Sequence, residues 1–219
     1  MKWDRDALRD LRVAIAQHDR GTIGELCAGR ELDAVVQLVG DALLDVPGSA
    51  LACECVERLR RRGFDGDAEL ADALDGRPSD LRPLAVDLEE LASILDGDPD
   101  HGGGRIDLAT GDVWPASPYD DPVDADDHDP ERWLWVEAGS RDGWRDMAEF
   151  AGTVSDSLLA ERLDRAIHRS GAFRRFRAEL DEPPDELTRF RRFADERGRG
   201  RARRWLAERG LRPSGRGYA

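Results

Sequence analysis

Apolar residues recur at the spacing of an α-helix in three consecutive segments between residues 139 and 180. In the first segment, Trp144, Met147 and Phe150 follow one another at intervals of three residues and form one stripe. The apolar positions of the other two segments are Leu159, Leu163, Ala166 and Ile167, and then Ala172, Phe173, Phe176 and Leu180. The pattern therefore predicts three short helices that pack through their apolar faces.

Polar residues and a glycine mark the ends of these predicted helices. Asp142 is a candidate N-cap of the first helix, because short side-chain oxygens accept hydrogen bonds from the free N–H groups of a first turn. Ser155 or Asp156 is the candidate N-cap of the second helix. Gly171 favours the left-handed backbone conformation that ends many helices. We expect the helix boundaries to lie close to these positions.

Residues 3–75 also carry helical stripes, which are Leu8, Leu11 and Ile15, then Leu32, Val35, Val36, Val39 and Leu43, then Leu51, Cys55, Val56 and Leu59. Breaks are expected at Gly21, at Pro47 with Gly48, and at Gly63. No motif repeats at a fixed period, so the pattern favours an irregular helical bundle over a solenoid. We predict an all-helical domain over residues 1–76 and a linker over residues 77–85.

A second domain is predicted over residues 86–211, where the period of the pattern changes. A helix spans Val86 to Leu95, and a β-hairpin is predicted around the Thr110-Gly111 turn because apolar and polar residues alternate on both sides of it. The alternating bulky residues from Trp133 to Glu137 predict a third strand. The fold class is therefore α+β and mostly helical, with an N-terminal helical bundle followed by a domain in which a small antiparallel sheet packs against helices.

The last long helix is predicted to begin near Asp185. Gly198 and Gly200 fall in its middle, and each glycine weakens a helix by about 1 kcal/mol relative to alanine. Residues 212–219 are predicted to form a flexible tail.

Several motifs of the second domain resemble one family in their order and spacing. The segments GWRDMAEFAGTV, LLAERLDRAIHRSGAFRRF and FRRFADERGRGRARRWLAERGL resemble the bacterial uncharacterised protein family UPF0158, from about Val86 to Leu211. The resemblance implies kinship but no activity, and Gly198 and Gly200 depart from the family's more continuous C-terminal helix. The motif residues that we expect in the core are Trp144, Met147, Phe150, Phe173, Phe176, Phe190, Phe193 and Trp205.

The charge of the chain is divided between its two parts. The formal net charge is −14, but from residue 161 onwards 17 arginines face 10 acidic residues, which gives about +7 and leaves about −21 for residues 1–160. An acidic body repels nucleic acid at long range, whereas a basic segment still contacts phosphate locally. An equally simple account is that the two parts attract each other, within a dimer or across domains.

The cysteines and the apolar runs bear on the location of the protein. Cys27, Cys53 and Cys55 show no metal-binding spacing and are interpreted as free thiols of a reducing cytoplasm. No apolar run approaches the roughly 20 residues of a membrane span, and the first residues lack the apolar core of a signal peptide. The sequence therefore predicts a soluble cytoplasmic protein without a membrane partner.

The two FRRF segments are the strongest candidates for a binding surface. Arginines interleaved with aromatic residues neutralise phosphates and stack on bases, as in single-strand binding. The candidate nucleic-acid contacts are Arg174, Arg175, Arg177, Arg191 and Arg192. The alternative is that the phenylalanines face the core while the arginines are solvated and pair locally, for example Arg175 with Glu179.

Other clusters offer weaker chemistry. The seven acidic residues between Tyr119 and Glu131 resemble no EF-hand loop and are interpreted as a solvated segment. His168 lies four residues after Asp164, which favours a surface ion pair. No catalytic residue, metal site or cofactor motif is predicted. We therefore expect a non-catalytic interaction or regulatory protein that binds another protein or itself. The alternatives are a nucleic-acid-binding regulator and an enzyme with a site near Trp144, Asp146 and Glu149.

Overall fold

Helices make up most of the chain, as the sequence predicts. The structure is a computed structural model that describes residues 2–97, 102–116, 129–182 and 184–214. The helices in these ranges are α1 (Arg5–Ala16), α2 (Arg20–Cys27), α3 (Val36–Asp41), α4 (Ala50–Arg62), α5 (Asp67–Leu74), α6 (Leu88–Leu95), α7 (Ser140–Ala151), α8 (Ser157–Ile167), α9 (Ala172–Leu180) and α10 (Pro184–Ala207). The strands are β1 (Arg82–Leu84), β2 (Gly104–Asp107), β3 (Val113–Pro115), β4 (Trp133–Val136) and β5 (Leu211–Pro213).

Helices α1 to α5 enclose the first apolar core. The carboxylate of Asp4 and the hydroxyl of Ser49 accept hydrogen bonds from first-turn N–H groups of α1 and α4, and Gly63 ends α4 in the left-handed conformation. The predicted break at Gly21 lies instead at His18, whose φ is 54°, and Gly21 belongs to α2. The fully buried residues at the centre of this core include Leu11, Val36, Leu59 and Leu70.

The small sheet is antiparallel, with strand order β3-β2-β4, which confirms the predicted hairpin and third strand. Its inner face presents Ile106 and Val136 to a second core, to which α6 contributes Leu91 and α10 contributes Leu206. Leu88 to Leu95 form α6, and the Asp87 carboxylate accepts hydrogen bonds from two N–H groups of its first turn. The sheet therefore has one buried face and one outer face.

The three predicted helices between residues 139 and 180 are confirmed as α7, α8 and α9. Asp156, rather than Ser155, caps α8. The prediction for α7 is wrong in one detail, because α7 begins earlier than expected: its N-cap is Gly139 and Asp142 lies inside the first turn. A third core forms between these helices and α10, centred on the fully buried ring of Phe150.

Helix α10 is one continuous helix of 24 residues that packs against α3 and α5 as well as α6, α7 and α9. Gly200 does not interrupt the helix. It lies where α10 closely approaches another segment of backbone, since a Cβ atom at Gly200 would lie 2.1 Å from the carbonyl oxygen of Asp65. A Cβ atom at Gly198 would lie 3.2 Å from that of Ala92. The two glycines are therefore positions of close approach.

A two-stranded parallel sheet joins two segments that the sequence assigns to the linker and the tail. Strand β1 lies within the predicted linker, and β5 includes Arg212 and Pro213 of the predicted tail. Pairing of these strands, rather than apolar periodicity, orders both segments. The division into domains at residues 77–85 remains a prediction.

Candidate aromatic and arginine surface

The arginines in the second half of α10 form ion pairs with acidic residues elsewhere in the chain. Arg197 and Arg201, one helical turn apart, lie 3.3 and 2.8 Å from the two carboxylate oxygens of Asp146. Arg199 and Arg203, on another side of the helix, both contact the carboxylate of Asp41. The positive charge of the sequence after residue 160 is thus partly neutralised by the acidic part of the same chain.

Asp146 and Glu149, which the sequence suggests for an enzyme site, belong to this network. Only 2% of the Asp146 side chain is exposed, and Glu149 lies 3.0 Å from Arg197. Burial raises the pKa of Asp146 to about 6, although Arg201 and Arg197 act in the opposite direction. Because both carboxylates contact arginines of α10, their arrangement supports a structural role.

The structure separates the five arginines that the sequence groups as a nucleic-acid site. Arg191 and Arg192 line a cleft of about 470 Å³ between α1 and α10, together with Arg5, Arg9, Val13 and Leu38 among others. Arg192 is half-buried and donates a hydrogen bond to the carbonyl oxygen of Trp3 at 3.1 Å. Burial lowers the pKa of Arg192. Arg192 therefore has a structural contact, while Arg191 is exposed.

The other three arginines, Arg174, Arg175 and Arg177, are exposed on α9. The Arg175 guanidinium donates to the carbonyl oxygen of Ser170 at 3.1 Å, and Glu179, its predicted partner, pairs instead with Arg162 at 3.2 Å. Within the described ranges, Arg174 and Arg177 have no ion-pair partner. Two of the three guanidiniums are thus available to an external anion.

Arg174 lines an open depression of about 670 Å³ at the turn between α8 and α9, which we call the Trp144 depression. Its lining residues are Trp144, Ile167, His168, Arg169, Gly171, Ala172, Phe173 and Arg174. Two aromatic rings are accessible there, since Trp144 is 41% and Phe173 39% exposed. Arg169 is exposed beside them.

Local contacts hold both rings at the surface. The indole N–H of Trp144 donates to the carbonyl oxygen of Ile167 at 3.1 Å, and its ring centre lies 6.1 Å from that of His168. The imidazole of His168 lies 3.5 Å from the carboxylate of Asp164, four residues earlier on the same helix face, as the spacing predicts. The Phe173 ring covers Gly143, where a Cβ atom would lie 3.0 Å from the ring.

The core positions expected for the family-motif aromatics therefore differ from the structure at Trp144 and Phe173. The stripe pattern places both on the same side as buried neighbours, but each lies at the edge of the interface between helices. Met147, Phe150 and Phe176 are buried. The partly buried residues of the same set are Phe190 and Phe193, which contact the Phe150 ring, and Trp205, which packs under the Arg209 guanidinium.

A second group of exposed aromatic residues lies on the outer face of the three-stranded sheet. Trp114 of β3 and Trp135 of β4 are 52% and 53% exposed, and both are directly opposite Arg105 of β2. Their alternation with the inward residues of the same strands was the signal that could have placed them on one outer face.

Neither a metal-binding cluster nor a membrane-spanning helix is found among the described residues. Across the described ranges, no three histidine, cysteine or acidic side chains are arranged to hold a metal ion. None of the helices in those ranges combines the length and apolar character needed to cross a bilayer.

Most of the acidic segment between Tyr119 and Glu131 lies outside the described residues. Cys27 and Cys55 are buried, and burial raises their pKa values to about 11 and about 12.

Fold and surface together define a mostly helical α+β protein with an aromatic and basic depression. The chain is 30% identical over 141 residues to the UPF0158 protein PA5073 of Pseudomonas aeruginosa, and the alignment covers 62% of this chain and 90% of that protein. The chain belongs to the UPF0158 family. No protein-family model matches the sequence, and no solved structure matches it.

Proposed function

We propose that this chain is a non-catalytic regulator that binds single-stranded nucleic acid in the Trp144 depression. The observation that carries the proposal is the exposure of two aromatic rings, Trp144 and Phe173, in one depression with Arg169 and Arg174. Aromatic faces accept bases of any sequence, and guanidiniums neutralise the phosphates that join them. The depression offers both groups side by side.

The ion-pair network supports the choice of this surface over other basic parts of the chain. Arg197, Arg199 and Arg201 each contact a carboxylate, so a phosphate would have to compete with an internal partner. Arg169 and Arg174 have no ion-pair partner among the described residues. A phosphate therefore gains more from them, because their charge is not already compensated.

The acidic character of the chain affects how its affinity for nucleic acid depends on salt. A net charge of −14 repels a polyanion at long range, and salt screens this repulsion. Contacts in the depression act at close range. Base stacking contributes about 1–3 kcal/mol per base and depends little on salt. We expect weak to moderate affinity with a shallow dependence on salt.

The test is fluorescence anisotropy of a labelled 12-nucleotide RNA and DNA at low and moderate salt, with nuclease-treated protein. Trp144→Leu with Phe173→Leu keeps apolar bulk but removes the stacking faces, and we expect about a tenfold or larger loss of affinity. Arg169→Gln with Arg174→Gln should reduce the slope of log K against log salt by up to about 1.4, since each phosphate contact contributes about 0.7.

The matched control is Arg5→Gln with Arg191→Gln, which removes the same charge from two exposed arginines of the other cleft. We expect this control to change affinity by less than about twofold, because neither arginine lines the Trp144 depression and salt screens longer-range charge effects. Equal losses in both arginine pairs would show that net charge, rather than the depression, governs binding. Absence of binding at both salts would reject the function.

Binding to another protein or to a second copy is the second candidate function. The observation that favours it is the cleft between α1 and α10, where Val13 is 49% exposed beside Leu8 and Leu38. Light scattering after gel filtration tests it. Self-association that persists at high salt and is lost in Val13→Glu would support this function, because apolar contacts are little affected by screening.

A further inference from the structure

We propose that the cleft between α1 and α10 binds a small amphiphilic anion, with its carboxylate at the arginines of one end and its apolar tail along the floor. The inference does not depend on nucleic-acid binding, because this cleft and the Trp144 depression share no lining residue. The volume of the cleft is about 470 Å³, and small-molecule sites occupy about 300–1,000 Å³. The cleft is therefore large enough for a ligand of this class.

The floor of the cleft is apolar and remains open to solvent. It is formed by Leu8 and Val13 of α1 together with Leu38 of α3. Val13 is 49% exposed, and Leu8 and Leu38 are half-buried against the first core. Covering such a surface with hydrocarbon removes apolar area from water, which favours an apolar group in the ligand.

The acidic residues that line the cleft are already paired with arginines. Asp195 lies 3.5 Å from Arg12, and Glu196 lies 3.2 Å from Arg62. Arg12 also contacts Glu89 at 2.6 Å. The carboxylates of the lining are thus compensated, and they do not balance the remaining arginines of the cleft.

Three of those arginines lack a carboxylate partner. Within the described ranges, Arg5 and Arg191 have no ion-pair partner. The half-buried Arg192 donates one of its five N–H groups to the neutral carbonyl oxygen of Trp3 and forms no ion pair with the described residues. Burial lowers the pKa of Arg192, although the more distant charge of Glu31 acts in the opposite direction. A partly desolvated guanidinium without a counter-ion is unfavourable, so a bound anion is stabilised there.

The uncompensated charge lies at one end of the cleft. Trp3 precedes Arg5, the first residue of α1, by two positions, so its contact with Arg192 places that guanidinium where α1 begins. Leu8 lies about one turn further along α1, and Val13 more than two turns. Helix α1 rises about 12 Å from Arg5 to Val13. An extended chain of about eight to ten carbons spans this distance.

Charge and floor together define the class of ligand. Guanidiniums bind carboxylates through parallel N–H···O bonds, and the floor accepts the hydrocarbon tail. An inorganic anion would leave the floor uncovered, and an uncharged apolar ligand would leave Arg192 without a counter-ion. Each methylene buried on the floor should tighten binding about fourfold.

The test titrates the full chain with octanoate, butanoate and octanol, which vary the tail and the charge separately. Isothermal titration calorimetry measures affinity, and methyl NMR shows whether Leu8, Val13 and Leu38 respond. The ligands are added to about 5 mM, which detects Kd values of about 1 mM or tighter. Circular dichroism and a thermal melt establish that each variant is folded.

The variants remove charge from two different surfaces. Arg5→Gln with Arg192→Gln removes the charge that would bind the carboxylate and keeps polar amides in its place. The matched control is Arg169→Gln with Arg174→Gln, which removes the same charge from two arginines of the Trp144 depression that also lack an ion-pair partner among the described residues. Arg5→Gln alone is a second head-group variant, since Arg5 is exposed and its replacement leaves the core intact.

We expect octanoate to bind at least about tenfold more tightly than butanoate or octanol and to shift the three methyl resonances. Arg5→Gln with Arg192→Gln should weaken octanoate binding at least about tenfold, and Arg5→Gln alone about threefold. The control should change it by less than about twofold, because neither of its arginines lines the cleft.

Three outcomes would overturn the inference. In the first, octanol binds as tightly as octanoate, and the cleft is only an apolar surface. In the second, the three methyl groups do not respond to octanoate, or its affinity is unchanged in both head-group variants. In the third, light scattering detects a dimer that covers the cleft and excludes octanoate, and the cleft is an interface between copies. None of these outcomes affects the proposed function, which is measured with oligonucleotides and with variants of the Trp144 depression.

Discussion

The carboxylate of Glu196 accepts hydrogen bonds from the backbone N–H groups of Gln37 and Leu38, at 2.8 and 3.1 Å. These N–H groups lie in the first turn of α3, whose N-cap residue, Val35, offers no side-chain acceptor. A residue 159 positions later in the sequence therefore caps this helix. Arg62 lies 3.2 Å from the same carboxylate and compensates its charge.

Removing this carboxylate should destabilise the whole chain. Glu196→Ala would leave the Arg62 guanidinium without one of its buried partners and two N–H groups without an acceptor, which costs about 3–5 kcal/mol. Urea unfolding measures the change in the free energy of unfolding. Glu208→Ala, which removes an exposed carboxylate that contacts Arg204 and Arg209, is the control and should cost less than about 1 kcal/mol. Equal effects of the two substitutions would contradict this role of Glu196.

Two glycines in helices should respond to alanine with opposite signs. In Gly200→Ala the new methyl group would meet the Asp65 carbonyl oxygen at 2.1 Å, so the helix or the turn must shift and we expect a loss of about 2 kcal/mol or more. At Gly24, within α2, a Cβ atom meets nothing within 4 Å. Gly24→Ala should therefore stabilise the protein by about 0.4–1 kcal/mol. Thermal and urea unfolding of both variants provide the measurement, and stabilisation by Gly200→Ala would refute the close approach.

These glycines also show what the sequence can and cannot predict. Apolar spacing identified α7, α8, α9 and the three-stranded sheet, because those elements bury one face and the pattern records it. It could not reveal why Gly198 and Gly200 occur, since the backbone that approaches Gly200 comes from Asp65, far away in the sequence. Local propensity alone indicated a weakened helix.

The candidate site was predictable to a similar extent. The motif predicts Arg174 as a candidate contact but places Phe173 in the core, because a stripe cannot distinguish a buried position from one at the edge of an interface. Arg192 looked equivalent to its neighbours in sequence, yet it is half-buried against the backbone of Trp3. Pairings between distant segments, such as Arg201 with Asp96, leave no periodic signal.

The difference between core and surface phenylalanines can be measured directly. The Phe150 ring is fully buried and lies 5.0 Å from the Phe190 ring centre, so Phe150→Ala should cost about 3–5 kcal/mol. Phe173 is 39% exposed, and Phe173→Ala should cost less than half as much because fewer contacts are lost. Urea unfolding of the two variants gives the comparison. A loss for Phe173→Ala as large as that for Phe150→Ala would place Phe173 in the core and would remove the basis of the Trp144 depression.

Asp146 should make stability depend on pH in a direction unusual for an aspartate. Burial raises its pKa to about 6, with opposing effects from Arg201 and Arg197 and a further increase from Asp96. An aspartate in an unfolded chain has a pKa of about 3.9. Between these two values the folded state binds more protons than the unfolded state, so the free energy of unfolding falls as pH rises. The stabilisation is fully present below about pH 4 and is lost as pH passes through about 6, with an upper limit of about 3 kcal/mol.

The variant that isolates this effect is Asp146→Asn, which cannot titrate but keeps a similar volume. Asp96 and Glu149 on the neighbouring surfaces, and Arg197 and Arg201 of α10, are present in both proteins, so their own titrations largely cancel in the difference. We expect the stability of the natural chain relative to Asp146→Asn to decrease steadily between about pH 4 and about pH 7. Urea unfolding at intervals across this range is the measurement. A relative stability that rises with pH would mean that the two arginines outweigh burial and hold the pKa of Asp146 below that of an unfolded chain.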